Sequence, residues 1–157
     1  MSRLKELGKN KLTVLKRLIS SQELCKALYY NDSNFLDKPD IPDTSDIIGN
    51  KIFPFFRIPD LTKEKTSFLT FSFRDYRSSG GKFKSGLLEF RTIIHQDLIY
   101  TDYECLRYDH ILSCVDDMFN DLRGLGIGKT EFYKMDEFNV NNIYTGTYIS
   151  YKIVDFN

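Results

Sequence analysis

Two segments of alternating apolar and polar residues constrain the fold of this chain more than any other feature. Residues 67–76 and 87–95 each place apolar side chains at every second position, which puts those side chains on one face of a strand. Residues 78–81, Ser-Ser-Gly-Gly, separate the two segments and favour a turn. The pattern therefore predicts a long antiparallel hairpin with a Gly/Ser tip.

Basic residues surround the predicted tip, and glycines at the tip itself add backbone freedom. An isolated subunit would only solvate charges of one sign, so we predict that the loop over 77–84 is an assembly contact rather than part of the fold. The candidate interface residues of this loop and its base are Arg74, Arg77, Gly80, Gly81, Lys82 and Lys84.

Two other segments have the 3.6-residue period of a helix. Residues 11–30 place leucines on one face, with a break expected near Ser20. Residues 103–123 follow a capping-box spacing at Thr101 and Glu104, and Gly124 suits the end of that helix. The apolar stripe of the second helix is predicted to be core and consists of Tyr108, Ile111, Val115, Met118, Phe119 and Leu122. Further strands are predicted at 52–58, where Pro54 favours an edge position, and at 129–135 and 144–156, joined through 136–139.

These elements predict one α+β domain over residues 1–157. The expected sheet is mostly antiparallel, has about four to five strands with one long hairpin, and is packed by an N-terminal helix and a second helix. The expected parts are a basic N-terminal helical segment (1–30), an acidic Pro-containing loop (31–50) and a sheet with a crossing helix (51–157).

Charge is balanced overall but uneven along the chain. Lys and Arg total 22, as do Asp and Glu, which argues against a nucleic-acid-coating protein and against a general binder of anionic membranes. Residues 1–30 hold seven basic and two acidic residues, whereas residues 31–50 hold five aspartates and one lysine. Opposite charges in two segments suit subunits that meet head to tail, although charge alone favours a solvated surface slightly more. The N-terminal candidate interface residues are Arg3, Lys5, Lys9 and Lys11.

No arrangement of residues predicts catalysis, a metal or a cofactor. The glycine-rich segment 124–130 lies between a helix and a strand, the reverse of a phosphate-binding loop, so a helix end and a turn are expected. The two histidines, His95 and His110, lie near aspartates, but no serine or cysteine occupies a nucleophile motif. Aspartates spaced by three in 31–50 lack the alternation of a calcium loop and are expected to cap and turn.

The three cysteines and the apolar pattern predict where the protein is found. An odd number of cysteines without metal-ligand spacing favours reduced, buried or half-buried thiols at Cys25, Cys105 and Cys114. The first twenty residues lack a signal-peptide apolar stretch, and no run of about 18 apolar residues occurs. We therefore expect a protein of the cytoplasm, or of a particle assembled there.

The order of these elements resembles that of bacteriophage tail terminator proteins, also called head–tail joining or tail completion proteins. In that family a leading helix is followed by an aromatic edge strand, a long hairpin, a helix across the sheet and a final hairpin. The segments that carry the resemblance are 88–95, 103–122, 128–132 and 148–156. The acidic loop and the basic N-terminal extension are departures from the family pattern.

The resemblance implies a structural virion protein without catalytic residues. It implies a ring, commonly of six subunits, at the junction between the capsid neck and the tail. Such a ring contacts head connector or neck proteins and tail proteins, and leaves a lumen through which genomic DNA passes without sequence recognition. The final strand is expected to offer an edge to a neighbouring subunit.

Three alternatives stay open from the sequence. Another neck or minor tail component, such as a stopper, would share the class but not the docking partners. A small enzyme would need a pocket at His95 and Asp97, and no catalytic constellation supports one. A single-strand nucleic-acid binder could stack bases on the many Tyr and Phe side chains, although the neutral charge weighs against it.

Overall fold

Three helices lie on one face of a five-stranded sheet in the described part of the chain, residues 4–58, 60 and 64–156 of the computed structural model. The helices are α1 (Lys5–Ile19), α2 (Gln22–Tyr29) and α3 (Arg107–Phe119). The strands are β1 (Ile52–Phe53), β2 (Ser67–Ser79), β3 (Phe83–His95), β4 (Glu131–Asn139) and β5 (Tyr144–Phe156). Their order across the sheet is β1-β2-β3-β5-β4, and β1 pairs with β2 in parallel while the other described pairs are antiparallel. The prediction of an α+β fold with a mostly antiparallel sheet is confirmed.

The predicted hairpin is present and is longer than expected. Strands β2 and β3 pair along thirteen residues each, and the ladder continues to Ser79 opposite Phe83. Gly80 and Gly81 make the turn with φ angles of 65° and 74°, a left-handed region that favours glycine. The prediction of a loop over 77–84 is therefore wrong in extent, because regular strand pairing reaches almost to the tip.

The N-terminal helical segment breaks where expected. Helix α1 ends at Ile19, and the hydroxyl of Ser21 accepts a hydrogen bond from the Leu24 backbone N–H at 3.2 Å, which caps α2. The break near Ser20 is thus confirmed, although Ser21 is the capping residue. Helix α1 begins six residues before the predicted start, at Lys5.

Helix α3 has different ends from those predicted. It begins at Arg107, and the Asp109 carboxylate accepts a hydrogen bond from the Leu106 N–H at 3.2 Å, whereas Thr101 bonds within the preceding turn. The helix ends at Phe119, so the prediction that Gly124 ends it is wrong. The turn that was predicted for the glycine-rich segment 124–130 does form, because Arg123 and Lys129 pair across it. Ile111, Val115 and Phe119 of the stripe are buried, and Tyr108, Met118 and Leu122 pack against them, which confirms the stripe as core.

Two predicted strands are shifted. Strand β1 stops after Phe53, where Pro54 follows and lacks the N–H that a ladder requires, and it lies at the sheet edge as expected. Strand β4 begins at Glu131 and continues through 136–139, which pair with β5 instead of forming the predicted turn. The turn lies later, where the Asn141 side chain accepts hydrogen bonds from the N–H groups of residues 143 and 144.

The main core lies between the helices and the sheet. It includes Phe90, whose ring centroid is 4.7 Å from that of Phe119 on α3. The opposite face of the sheet has a smaller apolar cluster at one end and charged side chains over the rest. That smaller cluster consists of Phe53, Phe68, Ile93 and Tyr144.

The acidic segment 31–50 is folded onto the helices. It contains two short 3-10 turns, Phe35–Asp37 and Thr44–Ile47, and the Asp43 carboxylate accepts a hydrogen bond from the Ser45 N–H at 3.0 Å. The expectation that its aspartates cap and turn is confirmed at Asp43. Asp40 forms an ion pair with Lys26 of α2 at 2.8 Å, so part of the opposite charge of the two segments is neutralised within the chain.

Candidate assembly interfaces

The basic residues at the base of the hairpin are already paired. The Arg74 guanidinium lies 2.7 Å from the carboxylate of Glu89, which is only 7% exposed, and Arg91 lies 2.8 Å from the same carboxylate. The Arg91 guanidinium also lies over the rings of Phe56 and Phe138, at 4.4 and 5.2 Å from their centroids. Arg74 therefore belongs to a charge cluster on the helix-free face of the sheet, where its partner is fixed within the subunit.

Closer to the tip, the charges become available for other molecules. Arg77 pairs with Asp75 at 3.0 Å, and both side chains are largely exposed. Neither Lys82 nor Lys84 forms an ion pair with another residue of the described chain. Lys82 in the turn and Lys84 at the start of β3 are thus the charges that a partner at the tip would meet first.

A bulge shapes the outer half of the hairpin. Asp75 and Tyr76 together oppose Gly86, and Asp75 takes a φ of 56°. The Tyr76 ring covers Gly86 so closely that a Cβ there would lie 2.7 Å from the ring. Burial raises the pKa of Tyr76 to about 12. This packing holds the hairpin in place well beyond the core.

The N-terminal candidates lie on an exposed part of α1. Arg3 lies outside the described residues. Lys5, Lys9 and Lys11 are exposed, and Lys9 lies 3.5 Å from Glu6 one turn away. No residue from 4 to 13 is buried, and the first buried residue of the helix is Val14. We call residues 4–13 the arm.

The edge strand β4 is an interface candidate that sequence reasoning missed. Phe132, Tyr133 and Met135 are 52%, 57% and 57% exposed. Within the described chain β4 pairs only with β5, so its other edge is open. The prediction that the final strand offers an edge is wrong, because β5 lies between β3 and β4. Apolar residues on both faces of β4 were the available signal, since a strand covered by the core on one side alternates more strictly.

A groove runs between α3 and β4 on the helix side of the sheet. It consists of two adjoining cavities of about 310 and 380 Å³, which share Asp109, Leu112 and Met135. Its apolar surface includes Phe132 and Ile149. Its rim is acidic, with Asp109, Asp116 and Glu137, and no lysine or arginine lines it among residues 4–58, 60 and 64–156.

The histidines and cysteines are held by structural contacts. His95 Nδ1 accepts a hydrogen bond from the Asp97 N–H at 3.1 Å, and Lys65 lowers the pKa of Asp97 through a 2.7 Å contact. His110 lies 3.2 Å from the Glu23 carbonyl and 3.6 Å from the Cys114 sulfur. Burial raises the pKa of Cys114 to about 12, so this thiol stays protonated and is a poor nucleophile.

The described residues contain no cluster of three His, Cys, Asp or Glu side chains that could hold a metal ion. In the same part of the chain, no helix has the length and apolar character needed to cross a bilayer. All three cysteines are free.

Fold and surface together define a small α+β protein with an open edge strand and a protruding hairpin. The model of the YomW family matches residues 21–153, and the chain belongs to this family. The family is derived from phages, which confirms the prediction of a phage protein at that level. No curated protein and no solved structure matches the chain significantly.

Proposed function

We propose that this chain is a structural virion protein that forms a ring, with six subunits as the expected number, at the head–tail junction of a phage. The ring terminates the tail, joins it to the head and leaves a channel for DNA. The phage origin of the family and the order of helices and strands support this role. The protein is assembled into the virion in the host cytoplasm.

The open edge strand β4 carries the proposal. Exposed apolar side chains beside unpaired backbone groups favour association of an isolated subunit. A head-to-tail contact repeated around a closed ring covers this surface in every copy.

The hairpin supplies the contact with the next part of the particle. Its outer half extends past the core, and Lys82 and Lys84 lie at its end. An acidic surface of a head connector, neck or tail protein would pair with these lysines. Genomic DNA passes through the lumen without sequence recognition, in keeping with a net charge of zero.

Deleting the gene from the phage tests this proposal. Filled heads and separate tails should accumulate, and the purified chain should restore joining when it is added to them. The purified chain should also sediment as a ring-sized oligomer and show rings by negative-stain microscopy. Normal virions without the gene would overturn the proposal. Joined particles that lack another neck or tail part would instead indicate a different neck component.

The proposal also includes the absence of hydrolase activity. We expect no cleavage of DNA or RNA in the presence of magnesium or manganese, because His95 and Asp97 bond to the backbone and to Lys65. Wild type should be compared with His95→Ala and Asp97→Ala. Cleavage that either substitution abolishes would contradict the structural role.

A further inference from the structure

We infer that the arm of one copy, residues 4–13 of α1, docks in the groove between α3 and β4 of a second copy. This inference rests on the proposed ring and names the contact that would link its subunits.

The arm is the part of α1 that precedes the first buried residue of the helix. None of residues 4–13 is buried, and Gly8 lowers the intrinsic helix propensity of this part of α1. Docking against another surface would stabilise the arm further.

The arm has an apolar stripe between lysines. Leu4, Gly8 and Leu12 follow one another at intervals of four residues, and the two leucines are 60% and 59% exposed. A Cβ at Gly8 would meet nothing within 4 Å. Because glycine has no side chain, the centre of the stripe is flat, and another surface could approach the helix backbone closely there. Lys5 and Lys11 flank the stripe on its two sides at helical spacing.

The groove has the complementary character. Apolar side chains form its surface, and Asp109, Asp116 and Glu137 form its rim. The part of β4 from Phe132 to Glu137 is about 17 Å long, at about 3.4 Å per residue. The arm is about 14 Å long, at 1.5 Å per residue. The arm and the groove therefore match in length, polarity and charge.

The arm of the same subunit does not fill this groove. Arg17 of α1 donates to the Met118 carbonyl, and His110 of α3 faces α2 through the Glu23 carbonyl. Asp109 and Asp116 line the other flank of α3. Because arm and groove lie on different flanks, a second copy is the natural occupant, and repeated docking proceeds head to tail.

Charge exchange tests the contact. Lys5→Glu with Lys11→Glu reverses the charge of the arm, and Asp109→Lys with Glu137→Lys reverses the charge of the groove rim. Either pair should weaken self-association by about 10-fold or more, measured by sedimentation equilibrium, because like charges then face each other. An equimolar mixture of the two variants should regain association, since reversed arms fit reversed grooves. Arg123→Glu with Lys129→Glu makes the same charge change at exposed positions outside the arm and the groove and should leave association unchanged.

Disulfide trapping locates the contact. In a Cys105→Ser background, Leu12→Cys should cross-link to Met135→Cys of another copy on mild oxidation, whereas Leu12→Cys should not cross-link to Lys152→Cys. A monomeric wild type, an arm variant that associates normally, or absent cross-linking would overturn the inference. If rings form but the arm variants leave them intact, the proposed ring stands and this contact is wrong. If the contact is verified but phage without the gene are normal, the inference stands and the head–tail role is wrong.

Discussion

At the scale of single residues, Arg107 connects parts of the chain that are distant in sequence. Its guanidinium is fully buried and donates to the carbonyls of Ala27, Tyr30, Asp32 and Leu98 at 2.6, 3.0, 2.9 and 2.7 Å. It also lies 4.6 Å from the centre of the Phe35 ring. Burial lowers the pKa of Arg107 to about 10. These bonds hold the end of α2, the acidic segment and the end of β3 together.

Replacing Arg107 with Met should lower the free energy of unfolding by about 3–5 kcal/mol, because several buried carbonyls lose their donor. Urea denaturation followed by circular dichroism measures this change. Arg77→Met is the matched control, since that arginine pairs with Asp75 at the surface, and it should cost less than about 1 kcal/mol. Equal losses in the two variants would show that the carbonyl bonds contribute little.

Two buried cysteines should make the free energy of unfolding depend on pH. Burial raises the pKa of both Cys25 and Cys114 to about 12, whereas an unfolded thiol titrates near pH 8.5. Above about pH 8.5 the unfolded state therefore binds fewer protons, and the free energy of unfolding falls as the pH rises towards 12. The double variant Cys25→Ala, Cys114→Ala should be less stable at pH 7 and should show a shallower alkaline decline. An unchanged slope would contradict this.

At the scale of elements, α3 and β4 differ in what their aromatic residues do. Phe119 of α3 is completely buried against Phe90, whereas Phe132 of β4 is 52% exposed. The same residue type thus stabilises the subunit in one element and is available to a partner in the other.

Phe119→Ala should therefore cost about 3–5 kcal/mol of folding free energy, from lost burial and the cavity it leaves. Phe132→Ala is its matched control and should cost less than about 1 kcal/mol in a monomeric sample. Thermal and urea unfolding give both values. A melting temperature unaffected by Phe119→Ala would show that the α3 stripe does not form the core.

At the scale of the whole molecule, the hairpin tip is predicted to serve assembly rather than folding. Changing Arg77, Lys82 and Lys84 to Glu should alter the free energy of unfolding by less than about 1 kcal/mol, because exposed charges contribute little. Head–tail joining, scored by microscopy as separate heads and tails, should fail. If DNA is the partner, the contact should weaken steeply with salt.

The control for the tip variant is Lys16→Glu with Arg123→Glu and Lys129→Glu, which makes the same change of charge at exposed positions away from the hairpin. That variant should support normal joining. Normal virions from the tip variant would remove Arg77, Lys82 and Lys84 from the assembly mechanism.

Local patterns were enough to predict much of this fold. The alternation in β2, β3 and β5, the break near Ser20 and the apolar stripe of α3 each depend on residues close together in sequence. The spacing of apolar residues and the residue types found in turns follow directly from these local preferences. They located the hairpin with Gly80 and Gly81 at its turn, and therefore the lysines that lie beside that turn.

The contacts between distant segments and the order of the strands could be known only from the tertiary structure. Arg107 reaches a carbonyl 80 residues away, and Arg74 is bound to the nearly buried Glu89 on the neighbouring strand. The order of the strands placed β5 inside the sheet and left β4 exposed at its edge. Apolar residues on both faces of β4 set this strand apart, but its sequence does not show at which position of the sheet it lies. Only the packing of distant segments determines which apolar surface remains for another molecule.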